Sequence, residues 1–355
     1  MNDLLGQGNK LISVIITAHN RREYLINAVM SALNQTLDKE LYEVIVVKNF
    51  TDSNIDKKLS DLNVKNILTE EEGQGGKVTE ALKYAGGEII SFLEDDDEFF
   101  PEKLEAVYKK FSENKDLVFY ENSILFIDKG GKPLFSRERK FHLKGPQSSE
   151  TFERIFSIGG GFNTSTMSVR RLILEDRLNF YRNIYTSTDA FLLYSAVLSG
   201  KEILAEPSIL TKFRLHGAST MYNITSFDKY LKNRTFNRFA MLNDAMAIEK
   251  MCSGSQYYYS ALRWLIASKI AYKLIYGLPN TSYKMLPPKL SFKEILYWIN
   301  FNLPKSSREL GIRRIFRPFY LLILSEMPGS IKLEIEKIRY HRVIAKYKKG
   351  EFHKN

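Results

Sequence analysis

EIISFLEDDDEFFPEKL, residues Glu88–Leu104, decides the fold. Ile89 to Leu93 is a continuous apolar run, the pattern of a strand buried on both faces. The first four of five consecutive acids, Glu94 to Asp97, follow where that strand would leave the core, and Pro101 stands at the first turn of a helix-like segment. The same grammar occurs twice upstream. KLISVIITAHN (Lys10–Asn20) and YEVIVVKNF (Tyr42–Phe50) are apolar, β-branched runs ending in polar residues. Between the runs lie RREYLINAVMSALNQ, with Leu25, Val29 and Leu33 at helical spacing, the segment NIDKKLSDL, and KVTEALKYAGG, a helix stopped by Gly86 and Gly87. Strand and helix alternate, which predicts an open α/β sheet whose ligands bind beyond the carboxyl ends of its strands. Three such ends, at His19–Asn20, Lys48–Asn49 and Glu94–Asp97, are expected to converge on one crevice.

The acids have two readings. Carboxylates favour a helix N-terminus, so they can form a solvated cap for the helix opening at Pro101. Asp-rich strand ends also hold hard divalent cations, commonly Mg²⁺ or Mn²⁺ shared with a diphosphate. An EF-hand is excluded, because neither the loop glycine nor the terminal glutamate is in place.

Composition narrows the setting. The 355 residues are 44% hydrophobic and 26% charged, as in a globular protein with a sizeable core. Cys252 is the single cysteine, which excludes an internal disulfide and a Cys-based metal site and suggests a reducing, cytoplasmic location. No signal peptide is legible in MNDLLGQGNK, and FYLLILSEM from Phe319 falls far short of the ~20 apolar residues that span a bilayer. The net charge of +11 is uneven: residues 222–355 hold 24 Lys and Arg against 9 Asp and Glu, a net of +15. The expected division is therefore a domain at 10–221 and a basic, aromatic-rich helical extension at 222–355, whose charge suits an anionic membrane surface or another polyanion. Nucleic acid is not the expected partner, since the extension lacks a recognised motif and the acids would repel phosphates.

Taken together, SVIITAHNRREYLINAVMSALNQT, EVIVVKNFTD and EGQGGKVTEALKYAGGEIISFLEDDDEFFPEKL resemble, in order, the opening of the inverting family-two glycosyltransferases of the GT-A fold. The resemblance covers roughly residues 10–110 and weakens toward about 220. It implies a Rossmann-like mixed α/β sheet, a nucleotide-diphospho-sugar donor across the strand ends, a divalent metal (Mg²⁺ or Mn²⁺), and a glycan or lipid-linked glycan acceptor. Carried onto this chain, the metal falls to Asp96, with His216 from the segment FRLHGAST as a metal or diphosphate contact. The donor falls to Thr17, His19, Asn20, Arg22, Asn49, Lys77, Glu94 and Asp95. Glu94 replaces the family's first Asp, and Lys48–Asn49 replace its base-reading acids, so the donor's base is left open. Asp189, in YTSTDAFLLYSAVLSGKEI, is the implied catalytic base at the head of an amphipathic helix; capping that helix is its simpler role. Asp97, Asn163, Thr164, Thr188 and Arg214, with Ser219, complete the acceptor or diphosphate contacts, GGGFNTSTMS forming the pocket floor. Two rivals stand beside this reading. Arg21 and Arg22 after the first strand suit a nucleotidyltransferase, and the basic extension suits a non-catalytic polyanion binder.

Overall fold

A computed structural model describes residues 10–157, 163–216, 226–279, 289–302 and 312–348. The chain forms two compact units, residues 1–216 with 250–258, and residues 217–249 with 259–355. Ser219, both ends of the expected boundary at 221 and 222, and the three glycines of GGGFNTSTMS lie outside the described residues.

The first unit alternates strands and helices as its apolar runs predict. Its strands are Ile12–Ala18 (β1), Tyr42–Lys48 (β2), Lys65–Leu68 (β3), Ile89–Glu94 (β4), Glu98–Phe99 (β5), Leu117–Ile127 (β6), Pro133–Arg137 (β7), Phe141–Leu143 (β8), Met167–Arg170 (β9) and Glu202–Arg214 (β10). Its helices are Leu25–Leu33 (α1), Ser53–Asp61 (α2), Gln74–Leu82 (α3), Lys103–Glu113 (α4), Ser149–Ser157 (α5), Leu172–Glu175 (α6), Leu178–Tyr181 (α7) and Thr188–Leu198 (α8). All the described strands join one sheet in the order β3-β2-β1-β4-β9-β6-β10-β5, with β7 added on β6 and β8 on β10. Strands β3, β2, β1 and β4 run parallel, and β9 enters antiparallel between β4 and β6. The sheet is therefore mixed, as expected.

Both faces of β1 are covered, which is why its sequence is apolar throughout. Ile12, Val14, Ile16 and Ala18 pack with Leu25, Ala28 and Val29 of α1, Ile55 and Leu59 of α2, and Leu104 and Val107 of α4. Ile15 and Thr17 face the other side, with Val78 of α3 and Thr188 of α8. Because β1 pairs in register with β2 and β4, Thr17 lies beside Val47 and Glu94, and Ala18 beside Lys48. The three polar strand ends thus share one edge of the sheet.

Two local expectations change. Helix α3 begins at Gln74, inside the glycine run, and not after it. Helix α8 is not amphipathic: Thr188 and Ala190 to Val197 are all buried, with Tyr194 against Phe152 and Phe191 stacked on Tyr181. A helix covered on every side needs no polar stripe.

The second unit is helical: Phe227–Met251 (α9), Tyr258–Lys273 (α10), Phe292–Asn302 (α11), Ile312–Glu326 (α12) and Gly329–Lys348 (α13). Leu231, Leu242, Ala245, Leu265, Tyr272 and Ile275 form its core. Buried Glu336 is held by Arg234, Arg339 and the hydroxyl of Tyr230. Among the described residues, no helix is long and apolar enough to cross a membrane.

Candidate active site

The acids that end β4 are buried, not solvated. Asp95, Asp96 and Asp97 are 2%, 8% and 1% exposed, which rules out the simple solvated cap. The turn that follows Glu94 splits them. Glu94 turns to the α3 side, where Gln74 Nε2 donates to it at 3.2 Å. Asp95 and Asp96 meet the guanidinium of Arg21. Its Nε donates to Asp95 Oδ1 at 2.9 Å, its Nη2 bonds the same oxygen, and its Nη1 lies 2.6 Å from Asp96 Oδ2. The imidazole of His216 reaches the same Asp96 oxygen at 2.9 Å. The structure therefore brings together the two residues assigned to the metal.

One guanidinium does not balance four acids. Burial, reinforced by Asp96, pushes Glu94 up to about 7. Burial lifts Asp95 to about 6 in spite of Arg21. Asp95 Oδ2 is buried and has no hydrogen-bond partner among the described residues. Carboxylate oxygens of Glu94, Asp96 and Asp97 lie within 4.8 Å of one another. This set of hard oxygen donors with residual negative charge fits a divalent cation of the Mg²⁺ or Mn²⁺ kind.

Asp97 has a second job. Its Oδ2 accepts from Ser165 Oγ at 2.6 Å and its Oδ1 from the Arg214 N–H at 3.0 Å. Ser165 also accepts the Glu94 N–H at 3.0 Å, so one hydroxyl pins both ends of the acidic loop. Arg214, expected at a ligand, is 4% exposed and spent on the protein itself. It donates to the carbonyls of Asp96, Asp128 and Lys129, pairs with Glu98, and lies over the ring of Tyr24.

The neighbouring strand ends form a second cluster. Asn20, in a left-handed conformation at φ 54°, gives its N–H to Asn49 Oδ1 at 2.9 Å. Asn49 Nδ2 and Lys77 Nζ approach His19 Nδ1 at 3.1 and 3.2 Å. Burial and Lys77 lower the His19 pKa, keeping the ring neutral and able to accept. Lys77 is 1% exposed, and burial brings it down to about 8. Lys48 stays off the crevice: its ammonium binds the Phe50 carbonyl at 2.6 Å and Asp56 at 2.8 Å. Arg22 turns to Asp52, at 3.1 Å, and lies over Phe50. Arg21 and Arg22, the cations that suited a nucleotidyltransferase, are thus both paired with carboxylates.

The glycine-rich run is a packing device. The N–H groups of Gln74 and Gly75, free donors at a helix start, are taken by the carbonyls of Tyr185 and Ile184 at 3.0 and 2.9 Å. This contact sets the segment leading into α8. Asp189 sits half-buried in the first turn of α8, its Oδ1 accepting the Ala190 N–H at 2.8 Å. Thr188 joins Thr17, Gln74 and Thr164 around a packing gap with no room for even a water molecule. Buried Asn163 precedes the 3₁₀ turn Thr164–Thr166, and its Oδ1 has no partner among the described residues.

Arg21, Gln74 and Ser165 escape the sequence reading as site residues. Arg21 carried a signal, as a cation directly after the polar strand end His19–Asn20, and Ser165 lies within the segment GGGFNTSTMS read as pocket floor.

Comparison with known proteins agrees with this geometry. Residues 13–177 match the profile of "Glycosyl transferase family 2". A protein of Rickettsia bellii described as an uncharacterized glycosyltransferase is 30% identical over 245 residues, 64% of this chain and 34% of its own length. A poly(ribitol-phosphate) beta-glucosyltransferase of Bacillus spizizenii is 27% identical over 200 residues, 54% of this chain and 30% of its own. The chain thus spans about a third of these curated relatives. The fold is also that of S. aureus TarS, crystallised as residues 1–349 with UDP-GlcNAc: TM-score 0.51 and 14% identity, over 97% of this chain and 93% of that one.

Proposed function

From the match of residues 13–177 to the profile of glycosyl transferase family 2, we propose that the chain is a metal-dependent, inverting glycosyltransferase of the GT-A fold, moving a sugar from a nucleotide-diphospho-sugar to a hydroxyl of a glycan or lipid-linked glycan. One observation carries the reading: a buried, under-neutralised acid cluster shares the carboxyl edge of β1, β2 and β4 with a second polar cluster around His19. That edge is where open α/β sheets bind nucleotides.

Asp96 and His216 are the residues that would hold Mg²⁺ or Mn²⁺, which supplies neutralising charge for a leaving diphosphate. The ammonium of Lys77, fixed by the Glu72 carbonyl at 2.7 Å, offers the donor a positive charge beside the acids. His19, Asn20 and Asn49, locked to one another, present amide and imidazole edges to the nucleotide, with Thr17 and Glu94 on the adjoining strands. Inversion needs one in-line displacement, with a base removing the acceptor proton as the hydroxyl attacks the anomeric carbon. Asp189 takes that role. It lies in the first turn of α8, and the contact of residues 184–185 with α3 ties its position to the donor side. Thr188, Thr164 and Asn163 line the acceptor side, and Asp97 and Arg214 act by holding the acid loop. The relative from B. spizizenii makes a polyol-phosphate polymer one acceptor to try.

Residues 10–221 are the catalytic domain in this reading, and 222–355 an extension that meets an anionic membrane surface. Exposed Phe292, Leu296, Tyr320 and Ile323, in a segment of net charge +15, support that contact.

The test is metal-dependent release of sugar from a panel of UDP-, GDP- and dTDP-sugars. One donor should be hydrolysed slowly with Mn²⁺ or Mg²⁺, and Asp96→Ala should abolish this. Asp189→Asn should keep donor binding and lose transfer by 10²-fold or more, on the order of a removed general base. No hydrolysis or binding of any donor would refute the proposal.

A further inference from the structure

The oxygen assigned to the metal already has a cation on it. Asp96 Oδ2 lies 2.9 Å from His216 Nε2 and 2.6 Å from Arg21 Nη1, and Nη1 itself is 3.4 Å from the imidazole nitrogen. A divalent ion ligated by that oxygen and that nitrogen would sit about 2.1 Å from each. Nη1, within hydrogen-bond reach of both atoms, fills this space. Guanidinium and ion cannot share it.

We propose that Arg21 is a resident competitor for the metal at Asp96: it holds the acid loop closed without a divalent ion and must swing out for one to enter. The inference rests on the metal-dependent reading above and adds an exchange step to it. Three observations carry it. Arg21 is the most exposed member of the group, its side chain 23% accessible against 3% for Asp95 and 11% for Asp96, so it has a way out to solvent. Carboxylate oxygens of Glu94, Asp96 and Asp97 lie within 4.8 Å of one another, so an ion seated among them reaches acids that the one guanidinium does not. Asp95 Oδ2, buried and without a hydrogen-bond partner among the described residues, is an acceptor the arginine leaves unserved. The consequence is weak intrinsic metal binding. A donor diphosphate, by offering the displaced guanidinium a new anionic partner, would tighten metal binding, and by linkage metal would tighten donor binding equally.

The experiment is Mn²⁺ binding to the full chain without nucleotide, counted from the electron paramagnetic resonance of free Mn²⁺, for wild type, Arg21→Met, Arg21→Lys and Arg21→Met with Asp96→Asn. Arg21→Met should bind Mn²⁺ at least ten-fold more tightly than wild type, and the added Asp96→Asn should remove that gain. Arg21→Lys, a cation without the fork, should fall between. Thermal unfolding checks each variant's fold, and Mn²⁺ should raise the melting temperature of Arg21→Met more than that of wild type. Equal Mn²⁺ affinity in wild type and Arg21→Met, with donor hydrolysis persisting, overturns the exchange step alone. Absence of Mn²⁺ binding in every form overturns it together with metal dependence. Tight binding by Arg21→Met with no donor hydrolysed upholds the exchange and refutes sugar transfer.

Discussion

Gly75→Ala is the sharpest test of how Asp189 is positioned, because two opposite effects can be sized from the structure. Gly75 lies inside α3 at ordinary helical backbone angles, so alanine by itself would gain about 1 kcal/mol of helix propensity. The added Cβ, however, would stand 1.9 Å from the Tyr181 carbonyl oxygen and 2.9 Å from its carbon. Both atoms are backbone and cannot rotate away. Residues 181–185 must move off the helix, at a cost of about 1–3 kcal/mol for overpacking. The Gln74 and Gly75 N–H bonds to Tyr185 and Ile184 go with them, costing about 0.5–1.5 kcal/mol each. The net is a loss of about 3 kcal/mol, or roughly 6–12 °C in melting temperature for a unit of this size. Differential scanning calorimetry measures it. Gly86→Ala is the control, since its nearest new contact is Glu43 Oε1 at 3.5 Å, and it should stay within about 0.5 kcal/mol of wild type. If Gly75→Ala melts at or above the wild-type temperature, the loop into α8 is not locked on α3, and the route by which Asp189 is placed is wrong.

Two further variants probe the interior. Lys103 is fully buried, its ammonium bonded to Asn122 and the Thr166 carbonyl, and burial brings its pKa from 10.5 down to about 7. The unfolded chain therefore keeps a proton that the folded chain lacks between pH 7 and 10.5, and this residue makes stability rise with pH across that window. Its full span is about 5 kcal/mol, from 3.5 units at about 1.4 kcal/mol each. Urea titrations at pH 6 and pH 9 should show Lys103→Met losing ground to wild type at the higher pH; a difference that does not change with pH refutes the assignment. Asp97→Asn should cost about 1–3 kcal/mol, because an amide cannot accept from both Ser165 Oγ and the Arg214 N–H. If instead its stability is intact and Mn²⁺ binding is lost, Asp97 is a ligand and not a brace.

The half of the sheet that holds β1, β2 and β4 was legible because strands covered on both faces must be apolar along their length, and their polar ends are then conspicuous. The rest depends on partners distant in sequence. Nothing near Asp97 announces Ser165, 68 residues on, and nothing near Arg214 reports that Asp96, Glu98, Asp128 and Lys129 will exhaust its donors. The acids read as solvated or metal-bound, when in the structure an arginine from the first strand end already sits on them. The glycines at 75 and 76 looked like loop because glycine disfavours helix, yet a Cβ at 75 would run into the Tyr181 carbonyl and one at 76 into the Glu71 side chain. Helix α8 was legible as a helix, but its burial on every side was not, because nothing in its own sequence names the segments that cover it.

Strand β9 gives the chain a timetable. It is the antiparallel stitch between β4 and β6, joined to β4 by the Ser91–Ser168 hydroxyl pair at 2.7 Å as well as by its backbone. Closing that stitch brings residues some 80 positions apart together, a step whose entropy cost falls due before its contacts form. Only then does Ser165 arrive to hold Glu94 and Asp97, and β10 to deliver Arg214 and His216. As the polypeptide leaves the ribosome, its first hundred residues already contain every acid of the cluster, but of the side chains that restrain their mutual repulsion they hold Arg21 and Gln74 and not yet Ser165, Arg214 or His216. The edge shared by β1, β2 and β4 can assemble early; the charged loop beside it settles last.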